Sequence, residues 1–315
     1  MADRLVAGVD LGGTNITVAA VDERGDVVDR AKKKTPREGP DAVIAAIAKT
    51  ISKLDVEPAA VGVGAPGPVS DGVVMSAPNL EGWRGPVALA DELGAATGLP
   101  VVVDNDATVG ALGEWTAGAG RGARNLLGVW LGTGVGGGLV LDGRPYRGAF
   151  GGAGEFGHLI VHRGGAICGC GRRGCVEAYA GRAALEGAAV TAVEAGRPTA
   201  LVEIQERLGK RRMTSAVWAT ALDEGDPLAT RLFGDAIDAL GCGIAGAINL
   251  LDLDTVVIGG GLAEKLGAGF VEQIADATRP RVLTPDKERR FLVAELGDDA
   301  GAIGAAVFAG QLLEG

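Results

Sequence analysis

The sequence predicts a mixed α/β chain organised as two halves, and three observations carry this. Short apolar, β-branched runs ending at glycine or proline turns alternate with longer segments whose apolar residues recur at helical spacing. A unit of strand, glycine turn, strand and turn occurs twice, and the spacing from Gly12 to Asp22 matches that from Gly132 to Asp142. The chain has 315 residues, 47% of them apolar, which leaves room for two domains, each with a core.

The first half opens on an apolar run from Leu5 to Asp10 that enters Leu-Gly-Gly-Thr-Asn. A second strand is predicted over Ile16–Val21, a turn at Asp22–Gly25 and a third strand over Val27–Lys33. In the first turn Gly12 and Gly13 bare backbone N–H groups, Thr14 and Asn15 add side-chain donors, and such a turn can cradle phosphate. Asp10, at the strand end, suits a Mg²⁺ ion held through water. A helix is predicted over Pro40–Leu54, a buried strand over Val61–Ala65 and a hard turn at Pro66-Gly-Pro68. Asn79 follows beside Trp83, placed either to contact a ligand or to cap a turn. After a helix over Leu89–Thr97, the strand Val101–Val103 runs into Asp104-Asn105-Asp106 and a new helix. One of these three polar residues is a cap, and three are more than a cap needs. Asp106 stands at the helix start, where the dipole favours its ionised form and where a carboxylate can take a proton from a hydroxyl nucleophile.

The second half repeats the opening, with an apolar strand running into Leu131–Gly138 and a second strand ending at Asp142-Gly143. One glycine hairpin is only a hairpin; two in corresponding places read as a pair of phosphate grips, the second including Thr133 and Gly134. Helices are predicted over Glu177–Ala195, Leu201–Leu208, Thr214–Glu224 and from Pro227 to about Leu250, where Asp226 caps and Pro227 fills the first turn. Gly241, Gly243 and Gly246 in the last of these imply close backbone packing, with Cys242 as an inert buried thiol. Strand Thr255–Ile258 then meets Gly259-Gly260-Gly261 and a helix from Leu262, a strand–turn–helix arrangement suited to a nucleotide or phosphate. A last strand is predicted over Phe291–Leu296 and a small-residue helix over Gly301–Leu313.

Just after the second glycine hairpin lies the densest chemistry. Cys168, Cys170 and Cys175 fall within eight residues, and both histidines, His158 and His162, lie just upstream. Gly169, Gly171 and Gly174 let the backbone fold around a small centre. Three thiolates and an imidazole complete a tetrahedral zinc shell with no open position, which makes the metal structural rather than catalytic. A disulfide or three idle thiols are the competing readings; nothing at the N-terminus resembles a signal peptide, so reduced thiols are expected. His158, in a Gly-Glu-Phe-Gly-His turn, is the better fourth ligand than His162. The stapled loop would present Glu155, His158 and Glu177 to a polyhydroxylated ligand.

A net charge of −10 argues against non-specific binding of nucleic acid or an anionic membrane. The longest uncharged run, Asn125–Leu141, is interrupted by six glycines and is too short to span a bilayer. A cytosolic location is expected. The basic clusters at Arg30–Arg37, Arg207–Arg212 and Lys287–Arg290 read as solvated surface.

Taken together, Gly157-His158, the Cys168-x-Cys170-Gly-x-x-Gly-Cys175-x-Glu177 run, Asp10–Asn15, Leu131–Gly138 and Gly259–Gly261 resemble the ROK family of bacterial sugar kinases and repressors. The resemblance implies an actin-like ATPase (ribonuclease H-like) fold, with two α/β domains flanking a cleft. It places a small domain at residues 1–108 plus 301–315 and a large domain at 109–300. It implies Asp106 as catalytic base, with Asn79, Asn105, Asp106, Glu155, His158 and Glu177 on the sugar. It further implies ATP with Mg²⁺, structural Zn²⁺ on His158 and the three cysteines, Gly259 and Gly260 on the adenosine side, and a homodimer or homotetramer. Asn15 stands where many members carry lysine. The expected reaction is phosphorylation of glucose at its 6-hydroxyl. Mannose, fructose, N-acetylglucosamine and N-acetylmannosamine are alternative acceptors, and polyphosphate or ADP alternative donors. A sugar-sensing repressor would need a DNA-binding segment ahead of Leu5, where only four residues stand.

Overall fold

In the computed structural model, residues 4–77 and 79–313 are described. The chain divides into two compact units: residues 1–128, 138–154 and 295–315 form one, and residues 129–137 and 155–294 the other. In chain order the first unit begins with β1 (Val6–Leu11), β2 (Asn15–Val21), β3 (Val27–Lys34), α1 (Pro40–Ile51), β4 (Val61–Ala65), the short pair β5 (Val69–Ser70) and β6 (Val73–Val74), α2 (Leu89–Thr97), β7 (Val101–Asn105) and α3 (Asp106–Thr116). There follow β8 (Asn125–Leu131), β9 (Val135–Leu141), β10 (Arg144–Pro145), α4 (Glu177–Ala180), α5 (Arg182–Glu194), α6 (Leu201–Arg207), α7 (Ser215–Asp223), α8 (Pro227–Leu251), β11 (Thr255–Gly259), α9 (Gly261–Thr278), β12 (Arg290–Val293) and α10 (Ala300–Leu313).

The strands form two five-stranded sheets of corresponding order, β3-β2-β1-β4-β7 and β10-β9-β8-β11-β12. The repeat visible in the sequence is therefore a repeat of topology. In each sheet the strand before the glycine turn is central, the next two strands lie on one side, and the last two extend the other side. In the first sheet β1 pairs antiparallel with β2 and parallel with β4, and β4 pairs parallel with β7. The central strands β1 and β4 are buried along nearly their whole length, as their unbroken apolar runs require.

The first unit has a core on each face of its sheet. One gathers Val9, Leu11, Ile47, Leu89 and Leu93; the other sets Val6, Ala19 and Val21 against Ala302, Ile303 and Ala306 of α10. Small residues allow α10 to lie directly on the strands. A Cβ on Gly8 would stand 1.8 Å from the Ala302 carbonyl oxygen, and one on Gly62 1.8 Å from that of Ala305. The α3–α10 crossing is as close: a Cβ on Gly304 would meet the Val109 carbonyl oxygen at 1.7 Å.

Several elements differ from the sequence reading. The predicted helix Glu177–Ala195 breaks at Gly181, whose extended φ/ψ of −67°/134° ends α4 and starts α5. The last strand stops at Val293, and Gly297–Asp299 is a 3₁₀ turn. Helix α9 is kinked at Gly267, where φ is 68°. Of the three α8 glycines, Gly241 meets the Ala277 backbone, Gly243 meets the Phe156 and Val176 side chains, and Gly246 faces open space. Cys242 is half-buried rather than buried. Among the described residues α8 alone is long and apolar enough to cross a membrane by length and composition. Its apolar face, with Leu232, Ala236, Leu240 and Ile244, is buried within the second unit.

Candidate functional site

The first unit gathers an acidic site at the ends of β1 and β7. Asp10 is the penultimate residue of β1, and Asp106 is the first residue of α3. The polar triplet divides its labour. Asn105 is the cap: its side-chain oxygen accepts from the N–H groups of Ala107 (3.0 Å) and Thr108 (3.2 Å), and its amide donates to the Gly67 carbonyl at 3.0 Å. One amide N–H is left for a ligand. Asp104 turns inward and is 1% exposed; its Oδ2 faces Arg147 Nε at 3.0 Å without hydrogen-bond alignment, and its Oδ1 accepts the Asn105 N–H. The Arg147 guanidinium lies 5.6 Å from the Phe308 ring centre. Asp106 thus starts a helix whose cap and preceding residue are both fixed. Its Oδ1 accepts the Ala107 N–H at 2.8 Å.

Burial pushes the Asp10 carboxyl up to about 7, with the charges of Asp106 and Asp298 adding to the effect and Lys32 opposing it. A carboxyl whose pKa is higher in the folded chain binds its proton more tightly there. Ionising it costs stability, and that cost grows between about pH 4 and pH 7 and is complete above. Asp10→Asn removes it. Without divalent cations, the variant is expected to exceed wild-type stability at pH 8 by up to about 4 kcal/mol and to match it near pH 4. Urea melts at both pH values measure this; a variant no more stable than wild type at pH 8 would refute it.

The first glycine turn follows Asp10. Gly12 N–H donates to the Asn15 carbonyl at 3.0 Å, and Thr35, just past β3, clamps the turn with a 2.6 Å bond from its hydroxyl to the Gly12 carbonyl. Gly13 and Thr14 are exposed, and Asn15 half-exposed. Gly13 has no room for a Cβ, which would stand 2.8 Å from the Asn79 carbonyl oxygen, so the Asn79 loop abuts this turn. The Asn79 side chain is exposed.

In the second unit the structure brings His158, Cys168, Cys170 and Cys175 together, with one ligand atom from each within 4.8 Å of the others. Gly171 and Gly174 take φ of 85° and 82°, which lets the chain double back between the thiols. His158 turns Nδ1 toward Cys168 Sγ at 3.7 Å and Nε2 toward Glu155 at 4.0 Å. His162 lies outside the cluster, with Nδ1 3.1 Å from the Tyr179 hydroxyl. Burial pushes the Cys168 thiol up to about 12 and raises Cys175; the Arg172 N–H draws Cys170 down. Two buried thiols and an exposed one crowded around one point, with an imidazole, are a donor set made for a soft, thiolate-stabilising cation. The residues present fit Zn²⁺.

Glu177 does more than sequence reasoning assigned to it. Its Oε2 accepts the Val135 N–H at 3.0 Å, across 42 residues, and its Oε1 lies 3.5 Å from Cys168 Sγ. One carboxylate thus joins the thiol cluster to the second glycine turn. A Cβ on Gly134 would meet Glu177 Oε2 at 2.2 Å and push that carboxylate away from the turn. Thr133 is exposed at the tip. Gly259 and Gly260 have a packing reason of their own: a Cβ would strike the Trp130 ring at 2.2 Å or the Leu131 backbone at 2.7 Å, and Gly260 has φ of 83°. No local signal gave the links made by Asp104 and Glu177, because both partners are distant in sequence.

The family model described as ROK family matches residues 6–311. The chain belongs to the ROK family. This ROK chain is 36% identical to a glucokinase of Halalkalibacterium halodurans, covering 96% of the chain and 94% of that protein. Among solved structures it is similar to a ROK hexokinase from Thermus thermophilus, with a TM-score of 0.85 and 34% identity over 98% of this chain and 99% of that one. It also resembles a ROK family glucokinase from Streptomyces griseus in complex with glucose and AMPPNP, with a TM-score of 0.80 and 34% identity over 98% and 99% of the two chains. The two mixed α/β domains, each with a five-stranded sheet, are those of the actin-like ATPase fold that these ROK structures share.

Proposed function

We propose that this ROK sugar kinase transfers the γ-phosphoryl group of ATP to the 6-hydroxyl of glucose, with Asp106 as the base. The observation that carries the reading is the placing of a carboxylate, Asp106, as the first residue of a helix whose cap is a different residue, Asn105. Asp106 takes the proton of the hydroxyl as the sugar oxygen bonds to γ-phosphorus and the bond from γ-phosphorus to its bridging oxygen breaks, releasing ADP. A carboxylate suffices because positioning and charge neutralisation dominate phosphoryl transfer. Likeness to a glucokinase and to a glucose complex supports glucose as the acceptor.

The two glycine turns bind phosphate oxygens through backbone N–H groups and the hydroxyls of Thr14 and Thr133. Asp10, with the Asp106 charge beside it, suits a hard cation, and Mg²⁺ there would neutralise phosphate charge. Asn79, Asn105, Glu155, His158 and Glu177 accept and donate to sugar hydroxyls. His158 serves its two tasks through different nitrogens, Nδ1 on the thiol side and Nε2 beside Glu155. Glu177 keeps lone pairs for a sugar while holding Val135. Zinc on His158 and the three cysteines would hold this loop rigid.

Purified protein is expected to release ADP from MgATP with glucose in preference to mannose, fructose, N-acetylglucosamine and N-acetylmannosamine. A coupled assay across the five sugars measures this. A larger kcat/KM for another sugar would replace glucose as the acceptor, and no turnover with any sugar would overturn the kinase reading.

A further inference from the structure

We propose that Arg182 binds the phosphate chain of the donor at the second glycine turn; this rests on the kinase reading above. Helix α5 begins directly behind that turn. Its first N–H groups are spent on the turn itself: Arg182 N–H donates to the Gly132 carbonyl at 3.2 Å and Ala183 N–H to the Thr133 carbonyl at 3.0 Å. Gly181 permits the approach, since a Cβ there would already stand 2.9 Å from the Glu177 carbonyl oxygen and 3.3 Å from that of Thr133. The helix end therefore fixes the turn, and the amides of Arg182 and Ala183 are already used there.

The side chain is different. Arg182 Nη2 donates to the exposed Thr133 hydroxyl at 3.2 Å. Among the described residues, no carboxylate lies within 4.0 Å of the guanidinium. The two acids nearest along the helices are committed elsewhere. Glu177 holds Val135 N–H, and Glu186 accepts from Arg212 and from the Met213 N–H. A guanidinium has five N–H donors in a rigid fork, and only one is used here. In a chain of net charge −10, a half-exposed arginine with no direct ion pair, only the longer-range charge of Glu186, and sharing a threonine hydroxyl with a bare glycine turn, is matched to a phosphate. The first turn, Gly12–Asn15, contains no cation of its own. Arg182 supplies the positive charge that the second turn adds to its backbone donors, and Thr133 orients it.

The test compares wild type, Arg182→Gln and Arg182→Lys in binding ATP, inorganic tripolyphosphate and adenosine, with glucose turnover measured alongside. Arg182→Gln is expected to weaken ATP and tripolyphosphate at least ten-fold, to leave adenosine and glucose affinity within two-fold, and to raise the KM for ATP. Arg182→Lys is expected to recover part of the loss. Unchanged ATP affinity in Arg182→Gln, while wild type turns over sugar, would overturn the role of Arg182 alone. Equal loss for adenosine and ATP would show that Arg182 only holds the turn and would also overturn it. Wild type that binds neither ATP nor tripolyphosphate would overturn both this role and the kinase reading.

Discussion

Replacing Asp106 by asparagine is expected to lower kcat for glucose about a thousand-fold while glucose affinity stays within a few-fold. The exchange is nearly isosteric and removes the negative charge together with the ability to take a proton. The helix survives it, because Asn105 accepts the N–H groups of both Ala107 and Thr108, and asparagine at 106 keeps a side-chain oxygen for the Ala107 N–H. The lost charge at the helix start costs about 0.5 kcal/mol, too little to unfold a core held by the close α3–α10 crossing. A second consequence separates this variant from a general loss of structure. Asp106 is one of the charges that keep the Asp10 carboxyl protonated to about pH 7. Removing it lets Asp10 ionise at lower pH, so the unfavourable ionisation expected of wild type shrinks and shifts downward. Single-turnover mixing of enzyme, MgATP and glucose measures the chemical step directly. A rate within ten-fold of wild type would mean that another group takes the proton and that Asp106 only starts a helix.

Asp106 also shows how far a sequence can be read. The triplet Asp104-Asn105-Asp106 at a strand end and helix start was legible as more polar than a cap requires, because apolar runs on both sides fix the boundary. Which of the three caps was not legible. It depends on Gly67 and Arg147, which contact the triplet from distant parts of the chain. The two sheets were legible for a related reason: central strands buried on both faces read as unbroken apolar runs ending at glycine turns. Gly181 was not legible as a break, since the residues on either side continue the helical spacing. The bend there follows from the bonds that α5 makes to Gly132 and Thr133, nearly fifty residues upstream. Cys168, Cys170 and Cys175 stood out because ligand spacing is a local property. Glu177 did not reveal its bond to Val135 because that bond is long-range.

Removing zinc is expected to cost the second unit more than the loop that binds it. The chain should carry one zinc per molecule, and Cys175→Ser should lose it, since Cys175 is fully buried and serine is a poor ligand for a soft site. Apart from the metal, the ligand loop is held by hydrogen bonds, such as Val161 N–H to the Gly174 carbonyl and Cys168 N–H to the Arg172 carbonyl, with little apolar burial behind them. Its ladder is reduced to isolated bridges, Ile160 with Cys175 and Ile167 with Arg173, and Ile160 and Ile167 are largely exposed. Without the metal, burial disfavours the charged forms of Cys168 and Cys175, and only the weak Cys168 thiol contact is left to hold His158 Nδ1. Glu177 lies against Cys168 on one side and holds Val135 on the other, so the slackening passes to the second glycine turn. Hydrogen exchange should therefore rise both at residues 158–177 and at Val135, which lies outside the ligand loop. Catalytic efficiency toward glucose is expected to fall about 10–100-fold, with the KM for glucose rising. Metal analysis, hydrogen exchange and steady-state kinetics on wild type and Cys175→Ser test this together. Full activity and unchanged protection in a zinc-free chain would show that the cluster is a set of reduced thiols with no structural task. Exposure confined to residues 158–177 would break the link through Glu177 while leaving the metal site intact.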